Sequence, residues 1–359
     1  NYDELFRGPV TLRQAIAQSL NVPSVKVLYL AGIEDSIRTA ESMGITTLAD
    51  RERFGLSLVL GGAEVKLLEM VSAFGVFAND GVKNPATPIR KVETVAGRVL
   101  EEQRSSPRPV LGTEIARTIN DVLSDNDARI PVFQPRSALY FPDADVAVKT
   151  GTTQDYRDAW TVGYTPRIAA GVWAGNSDNT AMQQKGSGVM AAAPHWHAFM
   201  EIAIKKFPPE PFVPPAPVAV EKPILKGVWQ GSTFVTIDSI SQKRATEWTP
   251  PDMRLDIAYG DPHDPLHWID RADPTGSPPE NPERDPQYAN WEAAFKAWLA
   301  RSGFIPRPLT SIPHESDDVH TPENQPRVEA EASAEGEALR IRVDAKAPRG
   351  VKEITLVAE

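Results

Sequence analysis

The chain has 359 residues, with 38 Lys and Arg against 48 Asp and Glu and no cysteine. This acidic balance argues against nucleic acid as a partner, because such binding needs a basic surface that displaces counterions. Without cysteine the chain forms no disulfide, which fits an exported protein as well as a cytosolic one. It has no run of about 18 apolar residues and no signal peptide, so an anchor or export signal is expected only upstream.

The N-terminal part of the chain is predicted to be helical. The apolar spacing after Thr11 predicts a helix that Thr11 caps, and Pro23 suits the first turn of a second helix. The segment 19–21 is therefore predicted to form a short turn between two helices, which can aim polar side chains into a cleft. Further amphipathic helices are predicted over 33–43, 63–79 and 113–124.

Three strands are predicted in close order after these helices, over 144–152, 159–164 and 167–176. Thr165 and Pro166 are predicted to form a tight hairpin between the last two strands. A closing helix over 193–207 carries apolar residues at helical spacing and is expected to pack on the sheet. Helices, then an antiparallel sheet, then a terminal helix predict an α+β fold for a first domain over residues 1–207.

The composition changes after this domain. The proline-rich segment 208–226 predicts a stiff, extended linker. An extension over 227–325 is predicted to hold a small hairpin within 227–245, a surface stretch over 249–283 and one helix over 286–302. Alternating apolar residues between 339 and 356 predict strands of a partial immunoglobulin-like sandwich over 326–359.

The most informative segment is a polar strand end that follows the apolar run Val146–Val148. It consists of Lys149, Thr150, Gly151, Thr152 and Thr153. The lysine supplies a positive charge, the threonines supply donors, and the glycine lets a ligand backbone approach. Such a strand is suited to holding a carboxylate.

A second polar pair strengthens this interpretation. Ser19 and Asn21 form an S-x-N motif, and S-x-N and K-T-G are two of the three motifs of a penicillin-binding active site. The third motif is a serine nucleophile with a lysine three residues later. No serine of this chain has a lysine at that position, so the sequence carries the site without its nucleophile.

These residues resemble the transpeptidase domain of class A penicillin-binding proteins, the bifunctional peptidoglycan synthases. The resemblance covers roughly residues 1–207 and rests on segments whose order and spacing agree with the family: 1–3, 19–23, 58–62, 148–153, 155–160 and 162–166. It implies a penicillin-binding or serine β-lactamase-like fold. It also implies that the serine motif, a membrane helix and a glycosyltransferase domain lie upstream, so the sequence is expected to be a fragment that is inactive alone.

The resemblance implies a role for each polar residue. Lys149, Thr150 and Thr152 would bind the terminal carboxylate of a D-Ala-D-Ala stem peptide, with Gly151 and Thr153 beside them. Ser19 would carry a proton and Asn21 would hold a substrate amide. The implied partners are peptidoglycan stem peptides, lipid-linked glycan strands and β-lactams, at the extracytoplasmic face of the cytoplasmic membrane, with no cofactor.

Two other interpretations stay open. The chain could belong to a non-catalytic protein that binds a D-Ala terminus or a partner, or to a β-lactamase or D,D-carboxypeptidase that uses the same site for hydrolysis. The histidine pairs 195/197 and 263/267 predict no metal site, because neither has a third ligand in view. The C-terminal modules are predicted to bind cell wall or envelope proteins.

Overall fold

The computed structural model describes residues 5–104, 106–182, 186–217, 220–228, 231–302, 307–325, 327–335 and 338–348. The chain divides into two compact units, Asn1–Ala219 and Val220–Glu359. The division falls inside the segment 208–226. The residues of this segment that precede the division pack on the first unit, since the rings of Phe212 and Tyr164 meet edge to face with centroids 5.7 Å apart.

The first unit combines helices with short antiparallel ladders. Its helices are α1 (Leu12–Ala17), α2 (Asn21–Ala31), α3 (Ile33–Met43), α4 (Leu67–Ala78), α5 (Thr113–Ser124), α6 (Asn126–Phe133) and α7 (Ala193–Lys206). Its strands are β1 (Val82–Lys83), β2 (Lys91–Glu93), β3 (Val99–Glu102), β4 (Arg108–Pro109), β5 (Ala147–Thr152), β6 (Asp158–Thr165) and β7 (Ile168–Gly175). The α+β fold predicted from the sequence is confirmed.

Most helix predictions agree with the structure. The Thr11 side chain accepts a hydrogen bond from the Gln14 backbone N–H, and the Gln14 side chain accepts one from the Thr11 backbone N–H. These two bonds form a capping box at the start of α1. The predicted helices over 33–43 and 113–124 match α3 and α5. The helix predicted from residue 63 begins only at Leu67.

The central sheet has three antiparallel strands in the order β5-β6-β7, with β5 at one edge. Thr165 pairs with Ile168, so the tight turn consists of Pro166 and Arg167, one residue later than predicted. Two glycines let helices approach the sheet closely. A Cβ at Gly163 would lie 2.3 Å from the Trp196 ring of α7, and one at Gly171 would lie 2.5 Å from Val71 of α4.

Side chains alternate along β5, so its two faces pack against different parts of the first unit. Val146 and Val148 are buried in a cluster around Trp196 of α7. Ala147 belongs to a second cluster with Leu123 and Tyr164. Because successive residues of a strand point to opposite faces, Lys149 projects to the same side as Ala147, away from α7.

The second unit contains β8 (Ser232–Asp238), β9 (Arg254–Gly260), α8 (Tyr288–Ser302), β10 (Arg327–Glu335) and β11 (Ala338–Lys346). After β8 the chain turns back, and Arg244 forms a single antiparallel β-bridge with Ile237. The main partner of β8, however, is β9, with which it pairs along its whole length. The prediction of a surface stretch over 249–283 did not include the strand β9, whose residues 254–256 are exposed. The alternation within β9 is short, and the surrounding prolines and aspartates obscure it.

The rest of the second unit agrees in part with the sequence. The helix predicted over 286–302 is confirmed as α8, two residues shorter at its start. Strands β10 and β11 form one antiparallel hairpin. The strands predicted around 351–356 lie outside the described residues, so the immunoglobulin-like sandwich stays a prediction. In the described part of the chain, no helix has the length and apolarity needed to span a bilayer.

Candidate active site

Strand β5 and the corner between α1 and α2 meet at one point. The Lys149 ammonium donates hydrogen bonds to Ser19 Oγ and, at 2.8 Å, to the backbone carbonyl of Thr150. The Lys149–Ser19 bond joins residues 130 positions apart in the chain. The structure thus brings together the lysine of one motif and the serine of the other.

The corner that holds Ser19 is strained. Ser19 has φ 58°, in the left-handed region that non-glycine residues rarely adopt. Two backbone bonds hold the corner, from Ser19 N to Ile16 O at 3.1 Å and from Leu20 N to Ala15 O at 2.9 Å. Leu20 is buried and anchors it further. A strained polar residue that the surrounding structure holds in place is common at functional sites.

Asn21 lies beside this corner but in a different environment. The connection between α1 and α2 consists of Gln18, Ser19 and Leu20, whereas Asn21 is the first residue of α2. The predicted turn over 19–21 is therefore corrected by one residue, because the second helix already begins at Asn21. The Asn21 side chain is exposed and stands two residues from Ser19, where a ligand entering the site from solvent could meet it.

The environment of Lys149 suits an anionic ligand. Burial, and secondarily the nearby Arg129 guanidinium, lowers the pKa of the Lys149 ammonium to about 8. The oxygens that accept from it belong to a hydroxyl and a backbone carbonyl, and both groups are neutral. Below about pH 8 the site therefore holds a positive charge that a carboxylate would compensate, and above that pH the charge is progressively lost.

Arg129 is a component of this region that the sequence did not predict. Only 4% of this residue of α6 is exposed, and its Nη2 donates to Ser124 O at 3.3 Å. Its Nε and Nη1 are buried without a hydrogen-bond partner, and burial lowers the pKa of the guanidinium to about 10. Arg129 lines a cavity of about 510 Å³. An arginine within a polar helix segment gives no signal that it is buried.

The opposite face of the motif strand contacts the segment before α7. Thr152 Oγ accepts from Gly188 N at 2.9 Å, and Thr161 Oγ donates to Gly188 O at 3.2 Å. Gly188 begins a π-helical turn, Gly188–Ala192, that leads into α7. Because Thr152 Oγ is used here as an acceptor, its hydroxyl proton stays available as a donor to a ligand.

Thr153 has a different position from the other motif residues. Its hydroxyl donates to Asp158 Oδ2 at 3.1 Å and accepts from Asp158 N at 2.8 Å. The Asp158 carboxylate also accepts from Trp173 Nε1 at 2.6 Å. These contacts close the connection between β5 and β6, so the geometry favours a structural role for Thr153 over substrate binding.

The close contact at Gly188 yields a testable prediction. A Cβ there would lie 2.6 Å from the carbonyl oxygens of both Gly151 and Trp160, and backbone atoms cannot move aside. We expect Gly188→Ala to lower the free energy of unfolding by about 1–3 kcal/mol and to loosen Thr152. Urea denaturation measures the change. The control Gly75→Ala, in α4 with nothing within 4 Å of the added Cβ, should stabilise by about 0.5–1 kcal/mol. Equal effects of the two substitutions would contradict the close contact.

Comparison with known proteins gives consistent matches. Residues 1–201 match the family described as penicillin binding protein transpeptidase domain. Penicillin-binding protein 1A of Aquifex aeolicus is 34% identical over 229 residues, which are 61% of this chain and 29% of that protein. Penicillin-binding protein 1C of Escherichia coli is 28% identical over 338 residues, which are 90% of this chain and 41% of that protein. The chain therefore spans well under half the length of these relatives.

Solved structures support the fold. The penicillin-binding protein PonA1 of Mycobacterium tuberculosis superposes with a TM-score of 0.54 at 24% identity, covering 61% of this chain and 63% of that chain. Penicillin-binding protein 1A of Haemophilus influenzae gives the same TM-score at 20% identity, covering 74% of this chain and 42% of that chain. PonA1 has also been solved in complex with penicillin V.

Proposed function

Because the chain belongs to the penicillin-binding protein transpeptidase family, we propose that its first unit is the carboxylate-binding part of a peptidoglycan D,D-transpeptidase of the class A kind. The observation that carries this proposal is the hydrogen bond between Lys149 and Ser19. It places a cation and a hydroxyl, which come from two separate motifs, at one site. A peptide that ends in D-Ala-D-Ala presents a carboxylate next to the amide that must be broken, which is the arrangement such a pair can bind.

The reaction would proceed by acyl transfer in two steps. A serine Oγ attacks the carbonyl carbon of the penultimate D-alanine, the C–N bond breaks, and free D-alanine leaves with a proton. The amine of a neighbouring stem peptide then attacks the ester, forms the cross-link and returns a proton to the serine. The hydroxyls of Thr150 and Thr152 would donate to the terminal carboxylate from their face of β5. Lys149 starts from the other face, but its ammonium reaches Thr150 O on this edge strand and would bind the same carboxylate there through a charge-assisted hydrogen bond.

Ser19 would move the proton between these partners. Its Oγ already accepts from the Lys149 ammonium, so its own proton can be donated to a leaving amine and replaced. The lowered pKa of Lys149, about 8, brings this ammonium closer to the pH at which proton transfer is efficient. Asn21, exposed beside Ser19, would hold an amide of the substrate, and the Thr152 N–H would donate to the oxyanion.

The attacking serine would come from polypeptide outside this sequence. No serine in the chain is followed at the third position by lysine, the spacing that activates the nucleophile in this family. Without that hydroxyl the covalent route is lost, although carboxylate binding is retained. We place the assembled enzyme at the extracytoplasmic face of the cytoplasmic membrane, where stem peptides, glycan strands and β-lactams would reach it.

Labelling with a fluorescent penicillin tests this proposal. We expect no covalent adduct on the chain alone, and one adduct on a polypeptide extended upstream through a Ser-x-x-Lys segment, on that serine by mass spectrometry. An adduct on Ser19 of the chain alone would contradict the proposal. If the extended polypeptide lacks a serine at that position, the non-catalytic binding role replaces it. Release of D-alanine with and without an amine acceptor separates transfer from hydrolysis.

A further inference from the structure

A compact cluster of side chains that can bind a metal lies in the second unit. The proposed transpeptidase site consists of residues of the first unit, so this cluster is not part of it. One oxygen each from Asp238 and Asp317 and one imidazole nitrogen of His320 all lie within 4.8 Å of one another. The sequence does not indicate this cluster, because Asp238 lies far from Asp317 and His320 in the chain. Two of its ligands are the carboxylates of Asp238 and Asp317, which are far apart in the sequence although they meet in space.

The backbone holds the three residues in place. Asp238 is the last residue of β8. After β8 the chain turns, and Arg244 then binds the later segment through two backbone bonds, to Glu315 O at 2.9 Å and from Asp317 N at 2.7 Å. His320 follows three residues after Asp317. The cluster is thus positioned by main-chain hydrogen bonds and does not depend on flexible side chains alone.

Both carboxylates are buried. Asp238 is 0% exposed and Asp317 is 5% exposed, whereas the His320 side chain is 19% exposed. Burying a carboxylate is costly unless a cation or several donors compensate it. Only one nitrogen, Nδ1 of His320, faces the two acids within the cluster.

The hydrogen bonds leave one carboxylate oxygen uncompensated. Asp317 Oδ2 accepts from Thr249 Oγ and from His320 Nδ1, both at 2.8 Å. Asp238 Oδ2 accepts from backbone N–H groups. Asp238 Oδ1, however, is buried and makes no hydrogen bond, although it lies 3.2 Å from His320 Nδ1. Nδ1 carries at most one proton, so His320 cannot serve both acids even when it is charged.

The spacing of these atoms fits a metal ion. In the tetrahedral coordination that Zn²⁺ favours, with bonds of about 2.0–2.1 Å, two ligand atoms of one ion lie about 3.3–3.4 Å apart. The observed Nδ1–oxygen separations are 2.8 and 3.2 Å, so small side-chain rotations would bring these atoms to that spacing. We propose that Asp238, Asp317 and His320 bind a divalent first-row transition metal, with Zn²⁺ as the type ion. The imidazole favours such a metal over Mg²⁺ or Ca²⁺, which prefer oxygen ligands.

An ion at this position would have a structural consequence. It would compensate Asp238 Oδ1 and join the end of β8 to the segment that carries Asp317 and His320. The partly exposed His320 leaves a side through which water could reach the remaining coordination positions. The ion is therefore expected to stabilise the second unit.

Metal binding to the whole chain tests this inference. After dialysis against chelator and then metal-free buffer, titration with ZnCl₂ in a calorimeter should show one site that Asp238→Asn and His320→Asn weaken at least about 100-fold. Asparagine at 320 can still donate to Asp317, which limits damage to the fold. The control His314→Asn replaces an exposed histidine of the same unit outside the cluster and should bind zinc as the unsubstituted chain does.

A second readout needs no substitution. Co²⁺ added to the chain should give visible absorption bands of a site with nitrogen and oxygen ligands, and Zn²⁺ should abolish them and raise the melting temperature. Absence of the bands, or equal zinc affinity in His320→Asn and His314→Asn, would overturn the inference. The inference would also be overturned if zinc left the melting temperature of the unsubstituted chain unchanged and Asp238→Asn melted at a higher temperature than that chain. A protonated His320 alone would then account for the cluster. None of these readouts depends on transpeptidase activity, so they stand or fall separately from the proposed function.

Discussion

Lys149→Met, in the polypeptide that carries the serine segment, is expected to lower the rate constant of acylation by benzylpenicillin about 10²- to 10⁴-fold. The substitution keeps much of the side-chain volume and removes the ammonium. That group would form two charge-assisted contacts, one with the ligand carboxylate and one with Ser19 Oγ. At about 1.5–3 kcal/mol for each such bond, their loss corresponds to this range. Stopped-flow measurement with a chromogenic β-lactam gives the rate constant.

A surface lysine provides the matched control for this substitution. Lys205 lies at the exposed C-terminal end of α7, so Lys205→Met should leave acylation unchanged within about twofold. The measurement should be made below pH 8, where Lys149 is charged. An unchanged acylation rate in Lys149→Met would show that the strand does not bind the carboxylate, and the proposed function would then lose its main support.

Ser19→Ala and Ser19→Gly are expected to lower acylation by similar amounts, about 10²- to 10³-fold, because each removes the hydroxyl that would transfer a proton. The two variants should differ in stability. Ser19 has φ 58°, where alanine is strained and glycine is not. After allowing for the greater entropy that glycine has in the unfolded chain, we expect Ser19→Gly to be more stable than Ser19→Ala by about 0.5–1 kcal/mol. Thermal or urea unfolding of both variants measures this difference.

The comparison separates a functional role of Ser19 from a structural one. If Ser19 served only to form the turn, the better-accommodated glycine would restore activity along with stability. Activity that follows stability would therefore contradict the proton-transfer role. Equal stability of the two variants would instead contradict the left-handed backbone at this corner. In both cases Lys149 stays in place, so carboxylate binding, measured as competition by a non-reactive D-Ala-D-Ala analogue, reports whether the site is still formed.

The amino-acid sequence determined the local elements and the motifs of the first unit. A cap at Thr11 and the apolar spacing after it specified α1, and alternation specified the strand that ends in Lys149, because these signals depend on neighbours a few residues away. The order of the S-x-N and K-T-G motifs was sufficient to indicate the family. Spacing within the chain could not show that Asn21 begins a helix or that Thr153 closes a turn on Asp158.

Only the tertiary structure decided which distant groups meet. Residues far apart in the chain meet in the Lys149–Ser19 bond, in the contact of Thr152 with Gly188 and in the approach of Asp238 to Asp317 and His320. The burial of Arg129 likewise depends on what packs around it. None has a periodicity or a fixed spacing that a sequence could display. Their contacts follow from how sheet faces and turns pack, and the same packing sets the burial that lowers the pKa of Lys149 and leaves Asp238 Oδ1 without a hydrogen bond.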